Sequence, residues 1–342
     1  MIRALVADDS PTARSILTAL LATDPAFEVV GEAEDGNEAV ELARRHRPDV
    51  ITMDIQMPHR DGFEATKRIM NELPTPIVIC SSLDVRDVAI SLEALRAGAL
   101  AVLPKPGGPG TEQFEQESRH FVATVKAMAR VRIIRRPGQQ QPPPPDAQLR
   151  PLERRQVRPE VVGVVASTGG PAALHQILSA LPRDFRVPVL VVQHIAIGFA
   201  EGLASWLDGA SPLRVKVAAA GEKLEGGTVY VAPDNRHLGA SADGRVLLSD
   251  APPLGGFRPS GSFLFESLAA SFGPSTLGLV LTGMGRDGTE GLRALRRAGG
   301  TVLAQDEASC DVFGMPAAAI SAGLTDLVLP LPTIASQLTK LV

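Results

Sequence analysis

The stretch VVGVVASTGGP, residues 161–171, predicts a strand, a tight turn and the start of a helix. Its apolar run ends at Ser167 and Thr168, two glycines follow, and Pro171 suits the first turn of a helix. A strand followed by a helix is the unit from which parallel sheets are built. Ligands of such sheets bind beyond the carboxyl ends of the strands, so Ser167 and Thr168 are candidate site residues.

The glycine turn leaves two kinds of anion site open. Backbone N–H groups at the start of a helix can hold a phosphate, or they can form an oxyanion hole for acyl transfer. The spacing differs from that of a GxxxxGK[ST] phosphate loop, and the turn contains no lysine. It also differs from the GxSxG motif, because Val165 stands two residues before Ser167.

Two later apolar runs also end in residues that can do chemistry. VLVVQHI places His194 at the end of a strand, and LVLTGMGRDG places Asp287 just beyond another. Since the ends of parallel strands converge, Ser167, His194 and Asp287 can meet as a nucleophile, a base and the acid that orients the base. A lone histidine at a strand end is more often a structural residue, but the joint pattern favours the triad. His237, within APDNRHL, is the one rival to His194.

The C-terminal half, residues 159–342, predicts a doubly wound, mostly parallel α/β domain. Between Val215 and Leu248, shorter runs separated by the turn signals GG, PDN and DG predict a small antiparallel addition. The other predicted strands lie at Val161–Val165, Val187–Val192, Leu277–Leu281, Thr301–Leu303 and Leu327–Leu329.

The N-terminal half, residues 1–130, alternates apolar runs with helical patterns and predicts a flavodoxin-like (βα)5 domain. Ser10 suits the N-cap and Pro11 the first position of its first helix. The predicted strands lie at Ile2–Ala7, Phe27–Val30, Asp49–Met53, Ile77–Cys80 and Ala99–Leu103.

Polar residues follow four of these five strands. Asp8 and Asp9 come after the first, Asp54 after the third, Ser81 after the fourth and Lys105 after the fifth. Three carboxylates at one sheet edge repel one another unless a cation is bound, and Mg²⁺ prefers such oxygen ligands. A carboxylate, a metal, a lysine and a hydroxyl together suit the capture of a phosphoryl group.

Residues 131–158 predict a linker between the two domains. Residues 130–160 carry eight arginines against three acidic residues, and they include QQQPPPP, which is extended and cannot pack a core. This basic run could bind a partner or nucleic acid, but a solvated linker is the more common function of such a sequence.

The amino-acid composition indicates what kind of protein this is and which functions are improbable. The 342 residues are 44% hydrophobic and 21% charged, with a net charge of −4, and 4% are aromatic. These values suit a globular protein of about two domains and argue against base stacking on nucleic acid. Two cysteines indicate a reducing compartment, and no apolar run reaches the roughly 20 residues that span a bilayer. We expect a cytoplasmic protein that is not membrane-embedded and does not bind nucleic acid.

The motifs ADDS, MDIQMPHRDG, CSS and PKP give residues 1–130 a specific resemblance to the receiver domain of bacterial response regulators. The resemblance implies that Asp54 accepts a phosphoryl group from a sensor histidine kinase. It also implies that Ser81 and Lys105 sense the phosphoryl group. The ligands that it implies for Mg²⁺ are Asp8, Asp9, Asp54 and the backbone carbonyl of Gln56.

The motifs ASTGG, QHI, YVAPDNRHL, RPS, LTGMGRDG and AQDEASCDVFGMP make the C-terminal half similar to the catalytic domain of the chemotaxis protein-glutamate methylesterase family, CheB. The resemblance implies Ser167 as the nucleophile, His194 as the base and Asp287 as the orienting acid. Thr168 and Met284 would line the site, with the Met284 N–H as an oxyanion donor. No cofactor is implied in this domain.

The two resemblances together imply a phosphorylation-regulated hydrolase that removes methyl esters from glutamyl residues of chemoreceptors. Many members of the family also deamidate receptor glutamines. Two alternatives remain open from the sequence. One is a receiver-controlled esterase that acts on another acyl substrate, and the other is a non-enzymatic adaptor that binds receptors.

Overall fold

The computed structural model describes residues 1–81, 91, 93–95, 97–107, 112–131 and 157–342. The chain divides into two compact units, Met1–Gly138 and Gln139–Val342. The predicted linker, residues 131–158, lies outside the described residues except for positions 131, 157 and 158, so its domain boundaries stay a prediction. Within the described residues, no helix is both long and apolar enough to cross a membrane.

The first unit contains one parallel sheet of five strands in the order β2-β1-β3-β4-β5. This order is that of flavodoxin-like folds, and the predicted fold class is confirmed. Its strands are β1 Ile2–Ala7, β2 Phe27–Ala33, β3 Val50–Met53, β4 Ile77–Ser81 and β5 Ala101–Pro104. Its helices with described bounds are α1 Pro11–Ala22, α2 Gly36–His46, α3 Gly62–Glu72 and α4 Glu112–Met128.

Side chains that accept hydrogen bonds begin the first three helices. The Ser10 Oγ accepts from the backbone N–H of Ala13 at 3.3 Å, and Asp35 and Asp61 cap α2 and α3 in the same manner. Each cap satisfies a backbone donor that has no partner within the helix. The predicted N-cap at Ser10 is therefore confirmed.

The second unit contains a parallel sheet of seven strands in the order β14-β13-β12-β6-β7-β9-β8. Its strands are β6 Val161–Ala166, β7 Val189–Gln193, β8 Arg214–Val217, β9 Thr228–Val231, β12 Thr276–Val280, β13 Thr301–Gln305 and β14 Leu327–Leu329. Its helices are α5 Gly170–Ala180, α6 Ala200–Asp208, α7 Gly261–Phe272, α8 Thr289–Arg297, α9 Met315–Ser321 and α10 Leu331–Leu341.

The predicted antiparallel addition between Val215 and Leu248 is smaller than the sequence suggested. The strands β10 His237–Ala240 and β11 Val246–Ser249 form an antiparallel pair, whereas β8 and β9 extend the parallel sheet. All four residues of β9, with the sequence TVYV, are buried. Such a continuous apolar run is typical of a parallel strand covered on both faces, so the turn signals alone were misleading.

Glycine allows α7 and α8 to pack closely beside the candidate site. A Cβ atom on Gly291 would lie 2.4 Å from the Ser262 carbonyl oxygen and 2.8 Å from the Ser262 Cα. Since both of these are backbone atoms, no side-chain rotation could relieve the contact. The close approach of the two helices therefore depends on Gly291.

We predict that Gly291→Ala destabilises the second unit by about 2 kcal/mol, because the added methyl group forces the two helices apart. Urea unfolding measures this effect through the fluorescence of Trp206, the single tryptophan, which lies in α6. Gly209→Ala is the matched control, since Gly209 has a φ of −62° and its Cβ would lie no closer than 3.7 Å to its neighbours. Equal stability of the two variants would contradict the prediction.

Candidate active site and phosphoacceptor pocket

Strand register places Ser167 and His194 side by side. Ala166 at the end of β6 pairs with Gln193 at the end of β7, and each candidate residue comes next in its chain. The His194 N–H donates to the Ala166 carbonyl at 2.9 Å, and the Ser167 N–H donates to the Thr282 carbonyl at 3.0 Å. The nucleophile candidate therefore lies between the ends of β7 and β12.

Gln193 ties the backbones of these two residues together. Its Nε2 donates to the carbonyls of both Ser167 and His194 at 2.8 Å. The amide also approaches Gly170 closely, because a Cβ there would lie 2.0 Å from the Gln193 Oε1. These contacts of Gln193 were not predicted from the sequence, although the residue directly precedes the candidate base in the QHI motif.

His194 and Asp287 form the central polar contact of the site. The His194 Nε2 lies 2.9 Å from the Asp287 Oδ2. Because an ionised carboxylate can only accept, Nε2 carries a proton, and in the neutral imidazole Nδ1 then keeps the lone pair. Nδ1 is buried and has no hydrogen-bond partner among the described residues, so the Ser167–His194 hydrogen bond is not formed. Phe257 stacks on the imidazole with ring centroids 4.3 Å apart.

The N-terminus of α7 surrounds the Asp287 carboxylate with donors. The Ser260 Oγ donates to Oδ1 at 2.8 Å, and the Gly261 N–H donates to Oδ2 at 2.6 Å. Gly288 adds a third donor at 2.8 Å. Burial acts to raise the pKa of Asp287, but His194, Gly261 and Ser260 outweigh it and lower the pKa to about 2. Asp287 is therefore ionised throughout the neutral range.

Thr168 and Met284, the predicted lining residues, lie on the two loops beside Ser167. The Thr168 carbonyl accepts from the Thr282 Oγ1 at 2.9 Å, and the side chain of Met284 is exposed. The neighbouring Gly283 approaches Ser167 closely, since a Cβ on it would lie 2.6 Å from the Ser167 Cβ. Both loops are thus held next to the nucleophile candidate.

The first unit brings its predicted residues to one sheet edge. Lys105 Nζ lies 2.8 Å from the Asp8 Oδ2 and 2.9 Å from the Asp54 Oδ2. Ser81 pairs in register with Pro104, the residue before Lys105. Gln56, which is exposed, lies two residues beyond Asp54 in the loop after β3.

The acidic residues of this pocket fit a divalent cation. Ligand oxygens of Asp8, Asp9 and Asp54 lie within 4.8 Å of one another. Burial raises the pKa of Asp54 to about 6, against the opposing effect of Lys105. Burial acts to lower the pKa of Lys105, but Asp8 and Asp54 outweigh it and raise that pKa. A cluster of carboxylate oxygens this close together offers the hard oxygen ligands that a divalent cation such as Mg²⁺ prefers.

Comparison with protein families follows the division into two units. A family model described as CheB methylesterase matches residues 162–338, and one described as response regulator receiver domain matches residues 4–111. The chain belongs to the CheB methylesterase family. The predicted family and the predicted enzyme class, a methylesterase with a receiver domain, are both confirmed.

Relatives within this family match over the whole chain. A protein-glutamate methylesterase/protein-glutamine glutaminase of Myxococcus xanthus is 56% identical, with 99% of this chain and 96% of the relative covered. One of Anaeromyxobacter dehalogenans is 57% identical, with 99% and 98% covered. The crystal structure of the Thermotoga maritima CheB methylesterase catalytic domain is 40% identical and has a TM-score of 0.53. The match between the two structures covers 54% of this chain and 100% of the Thermotoga domain.

We predict that Asp54→Asn stabilises the metal-free first unit by about 2 kcal/mol at pH 7.5. The pKa of Asp54 in the folded protein lies above that of an unfolded aspartate, so ionisation of Asp54 destabilises the folded state. This destabilisation is fully present above pH 6 and absent below about pH 4. The gain should therefore vanish as the pH falls from 6 to 4.

Calorimetry in the presence of a chelator measures this gain. Each unit should give its own unfolding transition, and that of the first unit is identified as the one that Gly291→Ala does not shift, because Gly291 lies in the second unit. Glu41→Gln, at an exposed position of α2, is the control for loss of a surface charge. A gain that is the same at pH 4 and pH 7.5 would show that ionisation of Asp54 is not its cause.

Proposed function

We propose that the chain removes methyl esters from glutamyl residues of chemoreceptors through Ser167, His194 and Asp287. The observation that carries this proposal is the His194–Asp287 contact at 2.9 Å beside the Ser167 strand end. A buried imidazole nitrogen with a free lone pair, next to a serine and oriented by an ionised carboxylate, is suited to acyl transfer.

In the proposed reaction, His194 keeps the proton on Nε2 and acts as a base through Nδ1. The Ser167 Oγ attacks the ester carbonyl while His194 Nδ1 takes the serine proton. That proton then passes to the leaving methoxide, methanol departs, and an acyl-enzyme remains. Water, deprotonated by His194, attacks the acyl-enzyme and releases the glutamate and the free serine. Backbone N–H groups, with that of Met284 as one donor, stabilise the oxyanion beside Thr168.

Deamidation of receptor glutamines is the second activity that we propose for this site. The relatives in Myxococcus and Anaeromyxobacter carry both activities in their names. The same attack on a glutaminyl amide would release ammonia in place of methanol. The imidazolium of His194 supplies the proton that this poorer leaving group needs.

Ser167→Ala should lower kcat for methanol release from methylated receptor by at least about 10³-fold, because no nucleophile remains. Ser179→Ala, at an exposed position of α5, is the matched control and should retain full activity. Near-full activity of Ser167→Ala would remove Ser167 from this function.

The same assay separates the alternatives. An esterase for another substrate would hydrolyse generic acyl esters and leave methylated receptor intact. An adaptor would bind receptor without labelling of Ser167 by a serine-directed reagent.

We propose that the first unit accepts a phosphoryl group on Asp54 from a sensor histidine kinase. Asp8, Asp9, Asp54 and the Gln56 carbonyl would hold Mg²⁺, which supplies positive charge beside the phosphoryl oxygens. Lys105 adds a second cation, and the hydroxyl of Ser81 senses the bound group. The contacts of Lys105 with Asp8 and Asp54 support this proposal.

Phosphorylation of Asp54 would relieve inhibition of the esterase by the first unit. A coupling free energy of about 1–3 kcal/mol corresponds to roughly 5–150-fold activation. The protein would act in the cytoplasm, which suits its two unpaired cysteines.

A chain that begins near residue 155 should hydrolyse methylated receptor faster than the unphosphorylated full chain by a similar factor. Addition of a small-molecule phosphodonor and Mg²⁺ should activate the full chain and leave the truncated chain unchanged. Asp54→Asn in the full chain is the control, and it should keep the low rate. Equal rates of both chains under all conditions would exclude inhibition by the first unit.

A further inference from the structure

His237 is a buried histidine that the proposed reaction does not use. It begins β10 and has no exposed surface. Its Nδ1 lies 3.2 Å from the backbone nitrogen of Ser260, and its Nε2 lies 3.2 Å from the Pro252 carbonyl oxygen. Its ring stacks on Phe263, with centroids 4.7 Å apart. These contacts engage the ring of His237, the rival to His194 in the sequence, so His237 is not the base of the proposed reaction.

The partners of His237 define its tautomer. The Pro252 carbonyl can only accept, so Nε2 carries a proton. The Ser260 N–H can only donate, so Nδ1 is bare and supplies a lone pair. His237 is therefore a neutral imidazole with both nitrogens occupied. It cannot exchange a proton with the triad without breaking one of these two hydrogen bonds.

Ser260 connects this histidine to the candidate acid. It is the N-cap of α7, it is fully buried, and its Oγ donates to the Asp287 Oδ1 at 2.8 Å. The next backbone N–H, that of Gly261, donates to the Asp287 Oδ2 at 2.6 Å. Both donors move with the backbone of Ser260, and the contact with His237 Nδ1 fixes that backbone.

We propose that His237 is a positioning residue for the catalytic acid. By accepting the Ser260 N–H, it fixes the two donors that orient Asp287 toward His194 Nε2. This inference rests on the function proposed above for Asp287. Because His237 is buried and its ring nitrogens contact Pro252 and Ser260, outside the triad, it should affect kcat and leave KM nearly unchanged.

Three substitutions separate the contacts of His237. In His237→Asn, the Oδ1 can replace Nδ1 as the acceptor for Ser260. In His237→Gln, the Nε2 can replace the donor to Pro252, but no acceptor faces Ser260. His237→Phe keeps an aromatic ring against Phe263 and neither polar contact. If His237 only stabilised the fold, the activity of each variant would be proportional to its folded fraction, whichever polar contact the variant keeps.

We expect His237→Asn to retain kcat within about threefold. His237→Gln and His237→Phe should lose about 10–100-fold in kcat, because small displacements of a catalytic group cost that much. Rates are measured on the full chain and normalised to the folded fraction of the second unit, which the fluorescence of Trp206 reports. Comparable losses in the Asn and Gln variants, or full kcat in a folded Gln variant, would overturn the proposal.

A second measurement does not depend on turnover. The proton between His194 Nε2 and Asp287 should give a downfield NMR resonance, assigned by its loss in His194→Gln. We expect this resonance in His237→Asn and its loss or marked shift in His237→Gln. An unchanged resonance in the Gln variant would overturn the proposal. If the Asn variant does not fold, the result for the Gln variant is sufficient to test the proposal. Failure of the proposed function would instead appear as an active Ser167→Ala, whatever residue occupies position 237.

Discussion

The buried negative charge of Asp287 is the constraint on which the C-terminal site depends. A carboxylate removed from water is costly unless donors replace its hydration. The start of α7 supplies Ser260 and Gly261, and the start of α8 supplies Gly288. His194 completes the set through its Nε2. The need to keep this charge therefore determines where two helices begin and how the imidazole is oriented.

Two buried aspartates have pKa values shifted in opposite directions, because the balance between burial and nearby charges and donors differs between the two units. Burial, with a smaller effect from the neighbouring Asp8, raises the pKa of Asp54 to about 6 against the opposing Lys105 ammonium and Ile55 N–H. At Asp287, the contacts with His194, Gly261 and Ser260 outweigh the effect of burial and lower the pKa to about 2. A carboxylate that resists ionisation suits a site completed by a cation, whereas one that is always ionised suits the orientation of a base.

The residues that could be predicted from sequence are those that follow apolar runs. The rule that ligands bind at the carboxyl ends of parallel strands led to Ser167, His194, Asp287 and the acidic residues as candidates. The structure brings His194 to Asp287 and groups Asp8 and Asp9 with Asp54, while the functions of these residues stay predictions. The antiparallel assignment of β8 and β9 was wrong, since local turn signals do not reveal which face of a strand is later covered. Gln193 and Ser260 were missed for a different reason. They act on backbone groups whose neighbours are known only after the chain has folded.

The orientation of the His194 ring also lies beyond sequence, and it decides which nitrogen can act as the base. Asp287 occupies Nε2, so in the proposed reaction only Nδ1 can take the proton of Ser167. A flip of the ring about the Cβ–Cγ bond would put Cε1 in the place of Nε2 and break the contact with Asp287. Phe257 stacks on the imidazole at 4.3 Å with an interplanar angle of 17° and opposes that flip. An aromatic residue in the loop before α7 thus contributes to the choice of base, although it takes no part in proton transfer.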